Sequence, residues 1–199
     1  MDGFIWLFAA LGYVSGSIPF GILFTRAAGL GDVRAIGSGN IGATNVLRTG
    51  NKAVAALTLL ADLLKGTFPV TFAFAAGGET AALAAGLGAF IGHLFPVWIG
   101  FKGGKGVATF IGILFGLAPI AGFMFIIVWA ISALAFRISS LAALTATVAV
   151  GFFALIASPP QMSASILLMG LLIFWRHREN IARLRKGQEA RINLSGKKT

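Results

Sequence analysis

Near the middle of the chain, Lys102-Gly103-Gly104-Lys105-Gly106 sets three glycines and two lysines in an unbroken run. Glycine leaves a backbone free to turn its N–H groups toward an anion, and two ammonium groups supply charge, which is the chemistry of a phosphate seat. An apolar stretch opens at Val107. If it is helical, its unpaired N-terminal N–H groups and positive dipole end point back into the same loop. The Walker pattern does not fit, because Gly106 follows Lys105 and Ile99 stands where the first glycine belongs.

A second group of polar residues lies upstream, in Gly37-Ser38-Gly39-Asn40-Ile41-Gly42-Ala43-Thr44-Asn45-Val46-Leu47-Arg48. Gly37 to Gly42 formally fits G-x-G-x-x-G, but no strand precedes it and no βαβ unit surrounds it, so a dinucleotide site is excluded by context. What remains is a loop dense in convergent donors, with Ser38, Asn40, Thr44, Asn45 and Arg48 as candidate ligands of an anionic or polyhydroxylated substrate. A third group follows the last apolar run: His177 and Asn180 are spaced i, i+3, with Arg176 and Arg183 nearby in helical projection. Ser140, in a short inter-span loop, and His93, near the end of an apolar run, complete the candidates. A lone histidine in an apolar span is more often bonded within the bundle than catalytic, and Pro96 points to a bent terminus there.

Absences narrow the chemistry. Asp32, Asp62, Glu179 and Glu189 are far apart and single, so no paired-carboxylate metal site of the phospholipid-transferase kind is encoded, and no metal or cofactor is expected. There is no G-x-S-x-G elbow. Neither histidine begins H-x-x-x-x-D, since Trp98 and Ala182 occupy the fifth following positions. With no cysteine, disulfides and thioester intermediates are excluded.

The elements that must hold these groups are apolar. Of 199 residues 57% are hydrophobic and 11% charged, and the mean hydropathy is +0.90, far from the balance of a soluble domain. The sequence therefore predicts an all-α integral membrane protein, one polytopic domain over 1–199, with seven transmembrane helices at about 4–25, 53–76, 80–99, 107–118, 119–136, 141–157 and 161–175. Met1-Asp2 lacks a basic leader region, so the first run reads as a retained span. Pro19 predicts a kink in it, and Gly116 and Pro119 a tight turn between the fourth and fifth spans. Asp62 and Lys65, i, i+3 within the second span, each cost on the order of 3 kcal/mol alone at membrane depth, so they form either a structural brace or a wall of the site, with the brace favoured.

Orientation follows from charge. The loops at 26–52, 100–106 and 137–140 and the tail 176–199 carry Lys and Arg, whereas 77–79, 116–119 and 158–161 carry none. The basic face is cytoplasmic, the N-terminus outside and the C-terminus inside. Ile181 and Leu184 amid arginines predict a short interfacial C-terminal helix. The net charge of +10 is thus accounted for by topology and headgroup attraction, with no nucleic acid implied.

Gly16-Ser17-Ile18-Pro19-Phe20-Gly21, the 37–48 segment, Gly92-His93-Leu94-Phe95-Pro96-Val97 joined to 101–109, and Arg176-His177-Arg178-Glu179-Asn180-Ile181-Ala182-Arg183-Leu184 together resemble the bacterial acyl-phosphate:glycerol-3-phosphate acyltransferase family. The likeness runs from the first span to the tail without a departure at a motif position. It implies a seven-helix bundle of the bacterial inner membrane that moves a fatty acyl group from acyl phosphate to the sn-1 hydroxyl of glycerol 3-phosphate at the cytosolic face. This would be the first acylation of phospholipid synthesis, and the soluble enzyme that makes acyl phosphate would be a partner. On this reading His177, Asn180, Ser38 and Lys105 are catalytic. Asn40, Thr44, Asn45, Arg48, Lys102, Gly103, Gly104, Gly106, His93, Ser140 and Arg176 bind substrate. Acyl phosphate is already activated, so orientation and oxyanion stabilisation matter more than a strong nucleophile, and either His177 or a substrate phosphate takes the hydroxyl proton. The rival is an anion transporter with glycine-broken helices, which would place its site at midplane and repeat its motifs in both halves; the 37–48 segment has no counterpart in the second half.

Overall fold

The computed structural model describes residues 2–192, with side chains from Phe4 onward, and all regular structure among them is helical. The last seven residues of the expected basic tail, 193–199, lie outside the described part. Contacts group the chain into two compact units, one up to Pro119 and one from Ile120.

In the first unit α1 (Asp2–Ser17) and α2 (Phe20–Ala27) make up the expected first span, broken where Pro19 can neither donate to the helix ladder nor follow a helical residue without clash. A short module follows, with 3-10 turns at Val33–Ala35 and Leu47–Thr49 around α3 (Ala43–Val46). Next comes α4 (Lys52–Leu94), a 43-residue helix interrupted at Gly78 by φ 72° and ψ −165°. Only glycine adopts that conformation without strain, and it divides α4 at the turn expected at 77–79. The unit closes with α5 (Val107–Leu117), and the helix break at Ala118 sits where Gly116 and Pro119 predicted a turn.

Close packing in this unit depends on missing side chains. A Cβ on Gly12 or Gly16 would lie 2.1 or 2.0 Å from the carbonyl oxygens of Ala85 or Ala89, and one on Gly88 or Gly92 would lie 2.1 or 2.3 Å from those of Ala9 or Tyr13. These pairings advance together, so α1 and the second half of α4 run parallel, backbone against backbone. Within a bilayer, where lipid tails compete equally for apolar surface, such small-residue contact is the main source of helix association. Gly112 meets the Leu63 carbonyl and Gly116 meets Val70, so α5 lies parallel to the first half of α4. α1 thus shares a direction with the second half of α4, and α5 with the first.

The second unit contains α6 (Pro119–Phe136), α7 (Ser139–Ala157), α8 (Pro160–Arg176) and α9 (Arg178–Arg185). Arg137, at φ 57°, makes the sharp turn from α6 to α7. Gly151 packs on Leu167 and Gly170 on Thr147, so α7 and α8 are antiparallel. The Ser163 hydroxyl donates to the Ala154 carbonyl at 2.7 Å and closes the turn between them.

Four stretches, Phe4–Ala27, Lys52–Ile99, Pro119–Phe136 and Ser139–Ala157, are long and apolar enough to cross a bilayer. The 48-residue stretch would be roughly 70 Å long if straight, twice what a bilayer needs, and it bends at Gly78 instead. Phe68, Phe72, Phe123, Ile131 and Phe152 are exposed, as side chains facing hydrocarbon would be.

Candidate active site

The glycine loop is built from the end of α4 outward. After Leu94 the chain extends through Pro96, makes a 3-10 turn at Val97–Ile99, and passes through left-handed conformations at Gly100 (φ 63°), Phe101 (φ 62°) and Gly106 (φ 89°). The Gly103 N–H then donates to the Leu94 carbonyl at 3.2 Å, and the Gly104 N–H to the His93 carbonyl at 3.1 Å. Both amides, expected from the sequence to face an anion, fold the loop back over the end of α4. The ammonium groups of Lys102 and Lys105 and the first-turn N–H groups of α5, capped by Gly106, remain as the loop's candidate anion donors.

His93 lies beneath this loop and is buried. A Cβ on Gly104 would sit 2.1 Å from His93 Nε2, so the imidazole edge is pressed against the Gly104 backbone. On the other side of the ring, His93 Nδ1 is 3.9 Å from Asp62 Oδ1, and Lys65 Nζ pairs with the same carboxylate oxygen at 2.7 Å. Lys65 also donates at 2.8 Å to the Ile18 carbonyl, one of those left without a helical partner by the Pro19 break. The buried pair thus joins the α1–α2 break to α4, which is the brace the sequence favoured, and through His93 it reaches the floor of the glycine loop. His93 supports the loop from within.

The 37–48 segment is a folded module with its own apolar core. Val33, Ile41 and Val46 are buried with Ile22, Val54 and Ala55, and Ile36 and Ile99 pack against them. Asn45, buried at its centre, donates through Nδ2 to the carbonyls of Val33 (2.8 Å), Ile36 (3.0 Å) and Asn40 (2.8 Å), while its Oδ1 accepts from the Ser38 N–H at 3.1 Å. Its polar atoms are committed to loop shape. Gly37 is wedged under Arg48, whose Nη1 lies 2.5 Å from where a Cβ would be, so the guanidinium shares an edge of the module with Ser38. Ser38, Thr44 and Arg48 are exposed, and the Asn40 Oδ1 is enclosed without a hydrogen-bond partner among the described residues. At the module's entry Asp32 accepts from the Arg34 backbone N–H and pairs with the Arg34 and Arg26 guanidinium groups at 2.6 and 3.2 Å. The Arg34 hydrogen bonds hold the Asp32 carboxyl well below the usual carboxylate range.

In the second unit His177 stands at the junction of α8 and α9 and is buried. Its Nδ1 lies 2.8 Å from the Ile173 carbonyl, which can only accept, so Nδ1 carries a proton in this contact. Three residues on, Asn180 is also buried and donates through Nδ2 to Glu189 Oε1 at 2.5 Å. The Ser140 hydroxyl donates to the same oxygen at 2.8 Å, and Arg183 Nε donates to Oε2 at 2.6 Å. Arg176, half-buried, stacks with Arg178 on Trp175, at 5.7 and 5.1 Å from the ring centre. Glu189 was not a candidate from sequence. Its only signal is that it is one of two acids within a basic tail.

The sequence profile of a family described as glycerol-3-phosphate acyltransferase matches residues 6–187. The chain belongs to this family. Among relatives, the glycerol-3-phosphate acyltransferase of Mesorhizobium japonicum is 59% identical over 185 residues, covering 93% of this chain and 94% of that one. That of Agrobacterium fabrum is 54% identical over 190 residues, covering 96% and 93%. Among solved structures, PlsY, an integral membrane glycerol 3-phosphate acyltransferase, matches in its glycerol 3-phosphate form with a TM-score of 0.91 at 38% identity, covering 95% of this chain and 96% of that one. Its lysophosphatidic acid form matches with a TM-score of 0.89 at 37% identity, covering 95% of each. As an integral membrane member of the glycerol-3-phosphate acyltransferase family, this chain carries its candidate groups in both units: the glycine loop and the Ser38–Arg48 module in the first, and Ser140, His177 and Asn180 in the second.

Proposed function

We propose that the chain transfers a fatty acyl group from acyl phosphate to the sn-1 hydroxyl of glycerol 3-phosphate, releasing 1-acylglycerol 3-phosphate and inorganic phosphate, as the first acylation of phospholipid synthesis. The observation that carries this reading is the two-lysine glycine loop folded over His93 ahead of the α5 N-terminus. The match along nearly the whole chain to PlsY, solved with glycerol 3-phosphate and with lysophosphatidic acid, supports it.

Both substrates carry phosphate, so two cationic seats are required. Lys102 and Lys105 with the α5 N-terminus serve one, and Ser38, Asn40, Thr44 and Arg48, on the module that Asn45 holds in shape, help to seat the other. His177, Asn180, Ser140 and Arg176 receive glycerol phosphate. The sn-1 oxygen attacks the acyl carbonyl carbon, the bond from that carbon to the phosphate oxygen breaks, and phosphate leaves with the electron pair. The transfer needs no metal and no covalent acyl-enzyme. The hydroxyl proton passes to a substrate phosphate, while His177, with Nδ1–H tied to Ile173, offers Nε2 to orient the glycerol. The chain crosses the inner membrane seven times with its N-terminus outside and its loops of candidate residues at the cytosol. There the soluble producer of acyl phosphate hands over its product.

The test is phosphate release from palmitoyl phosphate by the purified chain, with and without glycerol 3-phosphate, beside palmitoyl-CoA. Release that requires glycerol 3-phosphate, is absent with the CoA ester and collapses in Lys105→Ala is expected. Glycerol 3-phosphate binding without turnover would refute a transferase and favour a transporter. A His177→Gln variant that binds glycerol 3-phosphate normally and does not turn over would make the histidine the base.

A further inference from the structure

Glu189 holds a position unlike any other acid among the described side chains. One carboxylate collects a hydroxyl donor from Ser140, an amide donor from Asn180 and a guanidinium donor from Arg183, all at 2.8 Å or less. Ser140 and Asn180 are buried, and the Glu189 side chain is only 8% exposed. Hydroxyl, amide and guanidinium groups converging on one point recognise a phosphate as readily as a carboxylate, because both offer charged acceptor oxygens. The segment that delivers Glu189 is weakly held. It follows a left-handed Gly187 (φ 66°), has no regular structure from Gln188 to Ile192, and buries little apolar surface. Two backbone bonds tie it down, from the Gln188 N–H to the Arg183 carbonyl at 2.8 Å and from the Ile192 N–H to the Arg137 carbonyl at 2.6 Å. Segments with few buried contacts open at low free energy. Glu189 also lies beyond residue 187, where the match to the shared family profile ends.

We propose that Ser140, Asn180 and Arg183 form an anion seat that the tail closes from within, Glu189 occupying the place of a substrate phosphate until that phosphate displaces it. This rests on the reading of Ser140 and Asn180 as glycerol phosphate ligands and adds a built-in competitor to it. The tail then sets apparent affinity. If the open form is a minority, the substrate's dissociation constant is multiplied by the reciprocal of its population, so a tail closed nine-tenths of the time costs about tenfold.

The experiment uses the full chain in nanodiscs. Glu189→Gln keeps the side-chain shape and removes the charge; the expected result is a KM for glycerol 3-phosphate lower by about 3- to 10-fold at unchanged kcat. A higher KM or a reduced kcat would overturn the proposal and make Glu189 a strut that positions Asn180. Because the chain has no cysteine, an Arg137→Cys/Ile192→Cys pair can lock the tail, with activity lost on oxidation and restored by reductant. Full activity of the oxidised form would overturn it as well. Absence of any glycerol 3-phosphate-dependent turnover in the wild type would count against the proposed function instead. The tail is then still read by hydrogen exchange of residues 188–192, which inorganic phosphate accelerates over chloride at equal ionic strength if the seat exchanges ligands, and leaves unchanged if it does not.

Discussion

Gly104→Ala tests whether the glycine loop takes its shape from His93. Gly104 does not have a positive φ, so alanine meets no backbone penalty and the effect is steric. The new Cβ would lie 2.1 Å from His93 Nε2, against an ordinary contact beginning at 3.4 Å, so ring and loop must separate by 3.4 − 2.1 = 1.3 Å. The ring has nowhere to retreat. It is buried, Asp62 stands behind it, and its own backbone carbonyl is bonded to the Gly104 N–H. Overpacking of this kind costs about 1–3 kcal/mol. Because the loop is the softer partner, it moves, taking Lys105 with it. A displacement of about 1 Å in positioned groups lowers turnover by about a hundredfold. Phosphate release from palmitoyl phosphate measures this, with thermal unfolding of the detergent-purified protein as a control for global damage. Combining Gly104→Ala with His93→Ala removes the obstacle, so the double variant is expected to lose less than the sum of the two singles. Wild-type activity in Gly104→Ala, or strict additivity in the cycle, would refute the steric argument.

Asn45→Ala removes four hydrogen bonds that shape the 33–45 module; activity is expected to fall at least about tenfold and trypsin to cut at Arg34 or Arg48 in the folded protein, whereas an uncut, active variant would remove Asn45 from that role. Lys65→Met leaves the Asp62 carboxylate buried without its ion-pair partner and takes the Lys65 donor from the Ile18 carbonyl, a loss of about 3–5 kcal/mol seen as a lower Tm, and Asp62→Asn/Lys65→Met is expected to recover part of it. Burial alone would raise the Glu189 pKa, but the hydrogen bonds from Asn180, Ser140 and Arg183 outweigh it and hold the group below its ordinary 4.5. A depressed carboxylate pKa means that the tail contact is complete above the unfolded value and is lost as pH falls through the folded one. A spin label at Ala190→Cys should therefore be immobile at neutral pH and loosen below about pH 4.5, and in Glu189→Gln it should be loose throughout.

The helices were legible because their signals are local. Apolar runs, Pro19, Gly78 and the Gly116–Pro119 pair mark segments and breaks without reference to the rest of the chain. Functional groups were legible as clusters of type and spacing, but the direction of each side chain was not. Asn45 and Ser38 belong to one polar motif, and only tertiary contact with Val33 and Ile36 decides that the first turns inward. Likewise the Gly103 and Gly104 amides could serve an anion or the end of α4, and the competition is settled by carbonyls left over where a helix stops. Glu189 was illegible because its partners lie 49, 9 and 6 positions away and share no periodic pattern with it.

The Asp62–Lys65 pair also bears on how the protein is made. Its members lie one helical turn apart, so they can neutralise each other within α4 without help from any other segment. The nascent helix thus enters the lipid carrying a dipole in place of two isolated charges. The Ile18 carbonyl, synthesised earlier, accepts locally from the Phe20 N–H at 3.1 Å and keeps a second lone pair for Lys65 when α4 arrives. Chain order therefore places the Ile18 carbonyl first and its side-chain donor 47 residues later, so that docking of the second segment on the first completes the hydrogen bonding of both.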